Sequence, residues 1–107
     1  MLKSEFISEE NTLQLVLNTD LTADLISHAR FFFKKNLECK AKKVILDMHS
    51  CKKIDSHGIA LLLATHNSVK ANGASFQLKN LSPELSEFFK ILSIYGKFDI
   101  DNGLLVQ

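Results

Sequence analysis

The sequence predicts an α/β domain built on a mostly parallel β-sheet. Short apolar runs alternate with amphipathic segments along the chain, in the order β-β-α-β-α-β-α-β. Alternation of strands and helices from the third element onward implies parallel strands joined by crossover helices. The chain has 107 residues and is 46% hydrophobic, enough for one core, so we expect a single domain over residues 1–107.

The chain begins with a predicted antiparallel hairpin. Segments 4–8 and 12–18 have the character of short strands, and leucines alternate with other residues in the second segment, which indicates one well-buried face. The polar residues Glu9-Glu10-Asn11 form the predicted turn between them.

Three helices are predicted after the hairpin. The first covers residues 23–37 and is capped by Thr22. The second covers residues 57–71 and stops at Asn72-Gly73, and the third starts at Ser82-Pro83-Glu84, where a capping serine precedes a proline and an acid. The apolar residues that share one face of the first helix are Leu25, Ile26, Ala29, Phe33 and Leu37. Those of the third helix are Leu85, Phe88, Phe89 and Leu92.

Three further strands complete the predicted sheet. The run Val44–Met48 is apolar without strict alternation, which favours a central parallel strand covered on both faces. Residues 75–78 form the next predicted strand, and residues 97–100 form an edge strand followed by a turn at 101–103.

Charge and composition exclude several classes of protein. The formal net charge is +1, so the chain as a whole has no strong attraction for nucleic acid or membrane surfaces. No apolar stretch approaches the roughly 18 residues that a membrane span needs, and the first residues lack the apolar run of a secretory signal. Cys39 and Cys51 form no CxxC pair, as is typical of buried or idle thiols in a reducing compartment. We therefore expect a cytoplasmic protein without membrane insertion.

The most informative motif is the Asp55-Ser56 pair, which stands between an apolar residue, Ile54, and the start of a helix. Either Asp55 or Ser56 could cap that helix, and the sequence does not decide between them. A cap of this kind stabilises the helix by about 1 kcal/mol. A serine at this place is also suited to phosphorylation, because the positive end of the helix dipole and free backbone N–H groups favour a phosphate. Such a phosphate would not unfold the domain, so it would act on a partner.

Catalytic, metal and cofactor sites are not predicted. The consecutive residues Asp55, Ser56 and His57 cannot align as a nucleophile, a base and an orienting acid. The spacing of His49, Cys51 and His57 matches no familiar zinc pattern, and the glycines form no phosphate-binding loop. The other two histidines are expected to be half-buried helix residues: His28 and His66.

The helix after Ser56 is apolar nearly all the way round its first two turns. We expect one side of it to face the sheet, namely Ile59, Leu62 and Leu63. The opposite side would carry Ala60, Leu61 and Ala64. A helix of this kind is either fully buried or shows an apolar patch to a partner, and both alternatives stay open.

The motif Val44-Ile45-Leu46-Asp47 through Ile54-Asp55-Ser56-His57-Gly58-Ile59 resembles the STAS domain family. More narrowly, it is similar to bacterial anti-sigma factor antagonists, whose signature is an apolar strand, a variable loop and Asp-Ser-Ser/Thr-Gly-Leu opening a helix. Similarity continues through Lys70-Ala71-Asn72-Gly73-Ala74, Leu81-Ser82-Pro83-Glu84-Leu85 and the run from Leu92 to Phe98. The resemblance implies a STAS-like fold: a mixed sheet with helices packed mainly on one side.

The resemblance also implies a function in partner switching. In that family the serine after the aspartate, here Ser56, accepts phosphate from a partner serine kinase with a histidine-kinase-like ATP fold, and a PP2C-type phosphatase removes it. The unphosphorylated form binds the kinase, which releases a sigma factor or another target. This implies a binding module, not an enzyme, with no cofactor and no nucleic-acid partner. The residues expected at the docking surface are Thr22, Asp55, Ser56, His57, Gly58, Ala60 and Leu61.

This sequence departs from the family pattern at several positions. Thr19-Asp20-Leu21-Thr22 occupies the place of a Gly-Glu-Leu-Asp-like turn, His57 stands where Ser or Thr is common, and Ala60 stands where Gly is common. These departures leave the acceptor serine in place and favour a target other than a sigma factor. Two alternatives remain: an accessory subunit of a transport complex that binds without phosphate control, and a small-ligand or nucleotide sensor.

Overall fold

A five-stranded mixed sheet organises the chain, and the computed structural model describes residues 3–101 of it. The strands are β1 (Lys3–Ile7), β2 (Thr12–Val16), β3 (Lys43–Asp47), β4 (Ser75–Lys79) and β5 (Asp99–Asp101). They lie side by side in chain order, β1 antiparallel to β2 and every later neighbour parallel. The predicted order of elements and the predicted hairpin are confirmed.

Three helices cover one face of this sheet: α1 (Ile26–Asn36), α2 (Ser56–Ala71) and α3 (Pro83–Ile91). The strand side chains buried beneath them lie in register on that face: Leu13, Leu15, Val44, Leu46, Phe76 and Leu78. On the reverse face Gln14, Ile45 and Gln77 form one cross-strand row and stay partly exposed. The helices therefore pack mainly on one side, as predicted, and the expectation that β3 is covered on both faces is wrong.

The first helix begins later than predicted, at Ile26 instead of residue 23, and Thr22 does not cap it. Leu25 occupies the capping position without a side-chain cap, and the Thr22 hydroxyl donates instead to Asp24 Oδ1 at 2.6 Å. The backbone N–H of Leu25 donates to the carbonyl of Thr22, which closes a turn before the helix. Residues 23–25, which were predicted to be helical, therefore form a turn before the helix.

The other helix ends agree with the sequence. Helix α2 ends at Ala71 with Asn72 as its C-cap, and Gly73 follows with a φ of +79°, a conformation that glycine adopts without steric cost. Helix α3 is capped by Ser82, whose Oγ accepts a hydrogen bond from the backbone N–H of Leu85 at 3.1 Å. Both ends are specified by residues local to them.

The packing of α1 against α2 determines which residues of α2 are buried. Leu61 and Leu62 are buried, whereas Ile59 and Leu63 are only partly buried. Leu61 lines the groove between α1 and α2 together with Phe33, so the expectation that it lies on the outer side with Ala60 and Ala64 is wrong. Ala60 and Ala64 are exposed, as expected.

The two helix histidines differ. His28 is exposed on α1, so its predicted half-burial is wrong, because the buried face of that helix runs through Ala29 and Phe33. His66 is partly buried, as predicted, and its ring meets the rings of Phe76 and Phe98 edge-on.

The last strand is shorter than expected. Residues Tyr95–Lys97 form a single 3₁₀ turn, and β5 then pairs with β4 as an edge strand. The predicted turn at 101–103 extends outside the described residues. None of the helices within residues 3–101 has the length and apolar character needed to cross a membrane.

Candidate functional site

The candidate site lies at the carboxyl ends of β2 and β3, where two loops are bonded to each other. The β2–α1 loop runs over 17–25 and the β3–α2 loop over 48–55. The Leu17 N–H donates to the Asp47 carbonyl at 2.9 Å, and the Leu21 N–H donates to the Lys53 carbonyl at 2.9 Å. Leu21 and Ile54 pair as an isolated parallel bridge, so the ladder between the two strands resumes beyond their ends.

Asp20 adds a side-chain connection between the same loops. Its Oδ1 accepts hydrogen bonds from the backbone N–H groups of Lys52 at 2.8 Å and Lys53 at 3.0 Å. No role for Asp20 is predicted from the sequence. An acid in a loop that follows a parallel strand was the available signal, since neighbouring loops meet at that edge of the sheet.

Asp55 caps helix α2, which decides between the two candidates for the cap. Its Oδ1 accepts from the backbone N–H groups of His57 at 2.9 Å and Gly58 at 3.2 Å. Its Oδ2 accepts from the backbone N–H of Ala23, on the other loop, at 2.8 Å. The hydrogen bond from Ala23, followed by those from Gly58 and His57, lowers the pKa of the Asp55 carboxyl below its ordinary value.

Ser56 is the first residue of α2 and is exposed. Among the described residues no hydrogen bond engages its hydroxyl. Since Asp55 already accepts from two N–H groups of the first turn, a group carried on Ser56 Oγ would sit beside that carboxylate in solvent. The expectation that free backbone N–H groups await a phosphate is therefore wrong for His57 and Gly58.

His57 is turned toward Asp55. Its Nδ1 lies 3.6 Å from Asp55 Oδ1, and its side chain is 60% exposed. The structure contains no hydrogen bond between His57 and Ser56 within residues 3–101, so the three consecutive residues do not form a nucleophile–base relay. In the described part of the chain, no three His, Cys, Asp or Glu side chains converge as a metal-binding group.

Gly58 is required by packing inside the chain. A Cβ at this position would lie 2.3 Å from the Leu21 carbonyl oxygen and 2.6 Å from Ile54 Cγ1. Gly58 is buried, so its small size allows α2 to approach the β2–α1 loop. The expected docking residues separate into three groups: Ser56, His57 and Ala60 are exposed, Thr22 and Asp55 are partly buried, and Gly58 and Leu61 are buried.

A third loop reaches the same edge of the sheet through Asp47. Its Oδ1 lies 3.0 Å from the His49 N–H, 3.0 Å from His49 Nδ1 and 3.2 Å from Asn80 Nδ2. Burial raises the pKa of Asp47, but the hydrogen bonds from His49 and Asn80 outweigh burial and hold the pKa below its ordinary value. The Met48 N–H donates to the Lys79 carbonyl at 2.9 Å, which links the β3–α2 loop to the end of β4.

Cys51 lies under this set of loops and is fully buried. Burial raises the pKa of its thiol to about 11, and Sγ lies 3.5 Å from the Lys53 carbonyl oxygen. A buried thiol with a raised pKa stays protonated at neutral pH, and its burial agrees with one of the two expectations for Cys51, a buried or an idle thiol.

Known structures of similar shape come from several bacteria. The protein TM1081 of Thermotoga maritima, described as a candidate anti-sigma factor antagonist, matches with a TM-score of 0.85 at 13% identity, over 96% of this chain and 87% of that one. The Bacillus cell fate determinant SpoIIAA in its phosphorylated form matches with a TM-score of 0.67 at 17% identity, over 95% and 92%. An anti-sigma factor antagonist from Mycobacterium paratuberculosis matches with a TM-score of 0.79 at 10% identity, over 97% and 88%.

At such low identities, the TM-scores show a shared fold and no more. No curated protein matches the sequence itself. The family model described as the STAS domain matches residues 5–104, which is nearly the whole chain. With the sheet order, the helices on one face and the capped Asp55-Ser56 turn, this match assigns the chain to the STAS domain family.

Proposed function

We propose that this chain is a phosphorylation-controlled partner-switch protein of the anti-sigma factor antagonist type, with Ser56 as the acceptor. Its unphosphorylated form binds a serine kinase with a histidine-kinase-like ATP fold, and a PP2C-type phosphatase restores that form. The single observation that carries the proposal is the exposed, unbonded Ser56 hydroxyl directly after the capping carboxylate of Asp55. The proposal makes the chain a cytoplasmic binding module without a catalytic role.

Electrostatics supports a switch that acts on the partner. The lowered pKa of Asp55 keeps its carboxylate ionised at neutral pH. A phosphate on Ser56 adds about 1.5 to 2 negative charges beside it. A partner surface that fits the neutral serine would then have to bury a dianion beside a carboxylate, and an uncompensated charge buried at an interface costs several kcal/mol as an order of magnitude.

The local structure supports a switch that leaves the fold intact. Ser56 Oγ makes no hydrogen bond within the described residues, so its modification breaks none. Asp55 holds the helix end through the backbone of His57 and Gly58, independently of the serine side chain. Ala60, one helical turn after Ser56, is exposed and extends the same surface along α2.

One relative provides a parallel. SpoIIAA has been solved in an unphosphorylated form, which matches this chain with a TM-score of 0.71 at 17% identity, and in a phosphorylated form. The parallel supports the same chemistry at Ser56.

Phosphate transfer is the direct test of the proposal. The purified chain is incubated with ATP and the candidate serine kinase encoded nearest to its gene, and intact-mass spectrometry then measures the gain of one phosphate. We expect one phosphate on the wild type and on a Ser68→Ala control, in which an exposed serine of the same helix is changed, and none on Ser56→Ala.

Binding to the same kinase distinguishes the switch from the accessory-subunit alternative. We expect Ser56→Ala to bind the kinase as the wild type does, and Ser56→Asp to bind at least about tenfold more weakly. Ser68→Asp, which adds the same charge elsewhere on α2, should bind normally. Equal binding by Ser56→Ala and Ser56→Asp would favour a subunit without phosphate control.

A further inference from the structure

Helix α1 presents a positively charged outward face with an aromatic residue at its centre. Phe31 is 68% exposed, and Arg30, Lys34 and Lys35 near it are exposed as well. Arg30 and Lys34 also line the groove toward α2, together with the exposed Glu38. Lys34 and Lys35 follow Phe31 by three and four positions, so they flank it on the helix surface. Among the described residues, no ion pair engages Arg30, Lys34 or Lys35, so these cations are not neutralised there. We call Arg30, Phe31, Lys34 and Lys35 the basic face.

Helix α3 presents a face of opposite charge that is also apolar. Glu84, Glu87, Phe88 and Ile91 line a shallow depression together with Pro83. Ile91 is 71% exposed, although it is a large aliphatic residue. We call Glu84, Glu87, Phe88 and Ile91 the acidic face.

Lys90, the closest cation to Glu87 along the chain, does not neutralise the acidic face. Lys90 follows Glu87 by three positions, but its Nζ stands 5.0 Å from the centre of the Tyr95 ring. Its charge is engaged over that ring. Both carboxylates of the acidic face, on Glu84 and Glu87, are exposed.

The two faces lie on opposite flanks of the helix layer. Helix α1 packs against α2, α2 packs over β4, and α3 packs toward β5 through the ring contact of Phe89 with Phe98. Because α2 lies between α1 and α3, the basic face does not pack on the acidic face within one copy of the chain. Two copies side by side can join them.

We propose that a second copy of this chain covers each face, with the basic face of one copy docked on the acidic face of the next. Opposite charges bring the two faces together, and Phe31 enters the depression beside Phe88 and Ile91 as the apolar anchor of the contact. Exposed apolar patches with polar rims are typical of such contacts. Because two different surfaces meet, the contact is head-to-tail and continues into rings or chains.

This inference is independent of the partner switch. Neither face includes Ser56, and phosphate transfer to Ser56 is measured on different residues with a different readout. The association test can therefore fail while the switch stands, and the reverse also holds.

Sedimentation velocity of the pure protein tests the association. Concentrations from about 10 μM to about 1 mM span the range of weak specific contacts. We expect the mean mass to rise with concentration at about 0.05 M salt and to fall back toward the monomer at about 1 M salt, where the screening length is about 3 Å. Phe31→Ala and Ile91→Ala should each weaken association about tenfold or more.

Charge reversal provides the decisive comparison. Lys34→Glu/Lys35→Glu and Glu84→Lys/Glu87→Lys should each abolish self-association, and an equimolar mixture of the two variants should associate again. Lys52→Glu/Lys53→Glu, Glu9→Lys/Glu10→Lys and Phe6→Ala change exposed residues outside both faces and should associate as the wild type does. Circular dichroism verifies that each variant is folded.

A protein that stays monomeric at all concentrations in low salt would overturn the proposal. So would association that survives both reversals, because another surface would then be responsible. A mixture of the two reversed variants that remains monomeric would also overturn it, since restored complementarity must restore the contact.

Discussion

The carboxylate of Asp55 accepts a hydrogen bond from the backbone N–H of Ala23, which lies 32 positions earlier in the chain. One oxygen of Asp55 thereby holds the β2–α1 loop, while the other caps helix α2 through His57 and Gly58. The residue next to the proposed phosphate acceptor therefore sets the geometry of both loops, and it uses both oxygens for this purpose.

Asp55→Asn should separate these two roles. An asparagine can keep one oxygen toward the N–H groups of His57 and Gly58, but its NH₂ group would then face the Ala23 N–H, donor against donor. We expect hydrogen exchange at the Ala23 amide to become several-fold faster, while the amides of His57 and Gly58 stay protected. Asp24→Asn, whose oxygen bonds the Thr22 hydroxyl, is the matched control and should leave the Ala23 amide unchanged.

The same carboxylate predicts a pH dependence of stability. Its folded-state pKa is lowered, so its stabilising contribution is fully present above the unfolded pKa of about 3.9 and is lost as the pH falls through the lower, folded pKa. Urea unfolding of the wild type and Asp55→Asn, measured from neutral pH downward, should give a stability difference that shrinks in this acidic window. A difference that stays constant across the window would contradict the assignment.

Gly58→Ala should destabilise the fold by about 1–3 kcal/mol, because the added methyl group overlaps the backbone of Leu21 and the side chain of Ile54. The free energy of unfolding in urea is the measurement. Gly96→Ala is the control, since a Cβ there meets nothing within 4 Å, and its effect should stay within about 0.5 kcal/mol. Equal effects at both glycines would show that the approach of α2 to the β2–α1 loop is not close.

Leu61→Ala should lower the free energy of unfolding by about 2–4 kcal/mol, because Leu61 is 7% exposed and lies in the groove between α1 and α2. Ile91→Ala truncates a residue that is 71% exposed and should change stability by about 0.5 kcal/mol or less. Chemical unfolding measures both. If Leu61→Ala changed the free energy of unfolding only slightly but weakened binding of a kinase partner, Leu61 would be a docking residue and not a core residue.

Cys51 should resist alkylation in the folded protein. With a thiol pKa of about 11 and full burial, its labelling by iodoacetamide at pH near 8 should be at least about a hundredfold slower than in denaturant. A Cys39→Ser background leaves Cys51 as the one thiol to follow by mass. Fast labelling without denaturant would contradict the burial of this residue.

Elements defined by neighbouring residues could be predicted from the sequence. Ser82 before a proline and an acid, and Asn72-Gly73 after an apolar segment, specify helix ends through bonds within a few positions. Thr22 also has the chemistry of a cap, but its hydroxyl bonds Asp24 and the adjacent Ala23 N–H belongs to Asp55. The hydrogen bond between Ala23 and Asp55 joins two loops that are distant in the chain, and no local pattern around Thr22 contains it.

Some residues of the candidate site could be predicted from the sequence, and others could not. Ser56 and its place at a helix start were predictable from the motif, whereas Asp20 was not, because its bonds to Lys52 and Lys53 depend on two loops meeting in space. Leu61 was assigned to the wrong side because a helix that is apolar all round carries no periodic signal. Only the position of α1 shows which side of that helix is covered.

The bonds that join the β2–α1 and β3–α2 loops bear on how this surface can be re-engineered. Replacing the β2–α1 loop alone would remove Asp20 and change the Ala23 backbone that Asp55 binds. Replacing the β3–α2 loop alone would remove Asp55 and change the backbone of Lys52 and Lys53 that Asp20 binds. Transplanting both loops together would preserve these hydrogen bonds, so the two loops form one structural unit for redesign.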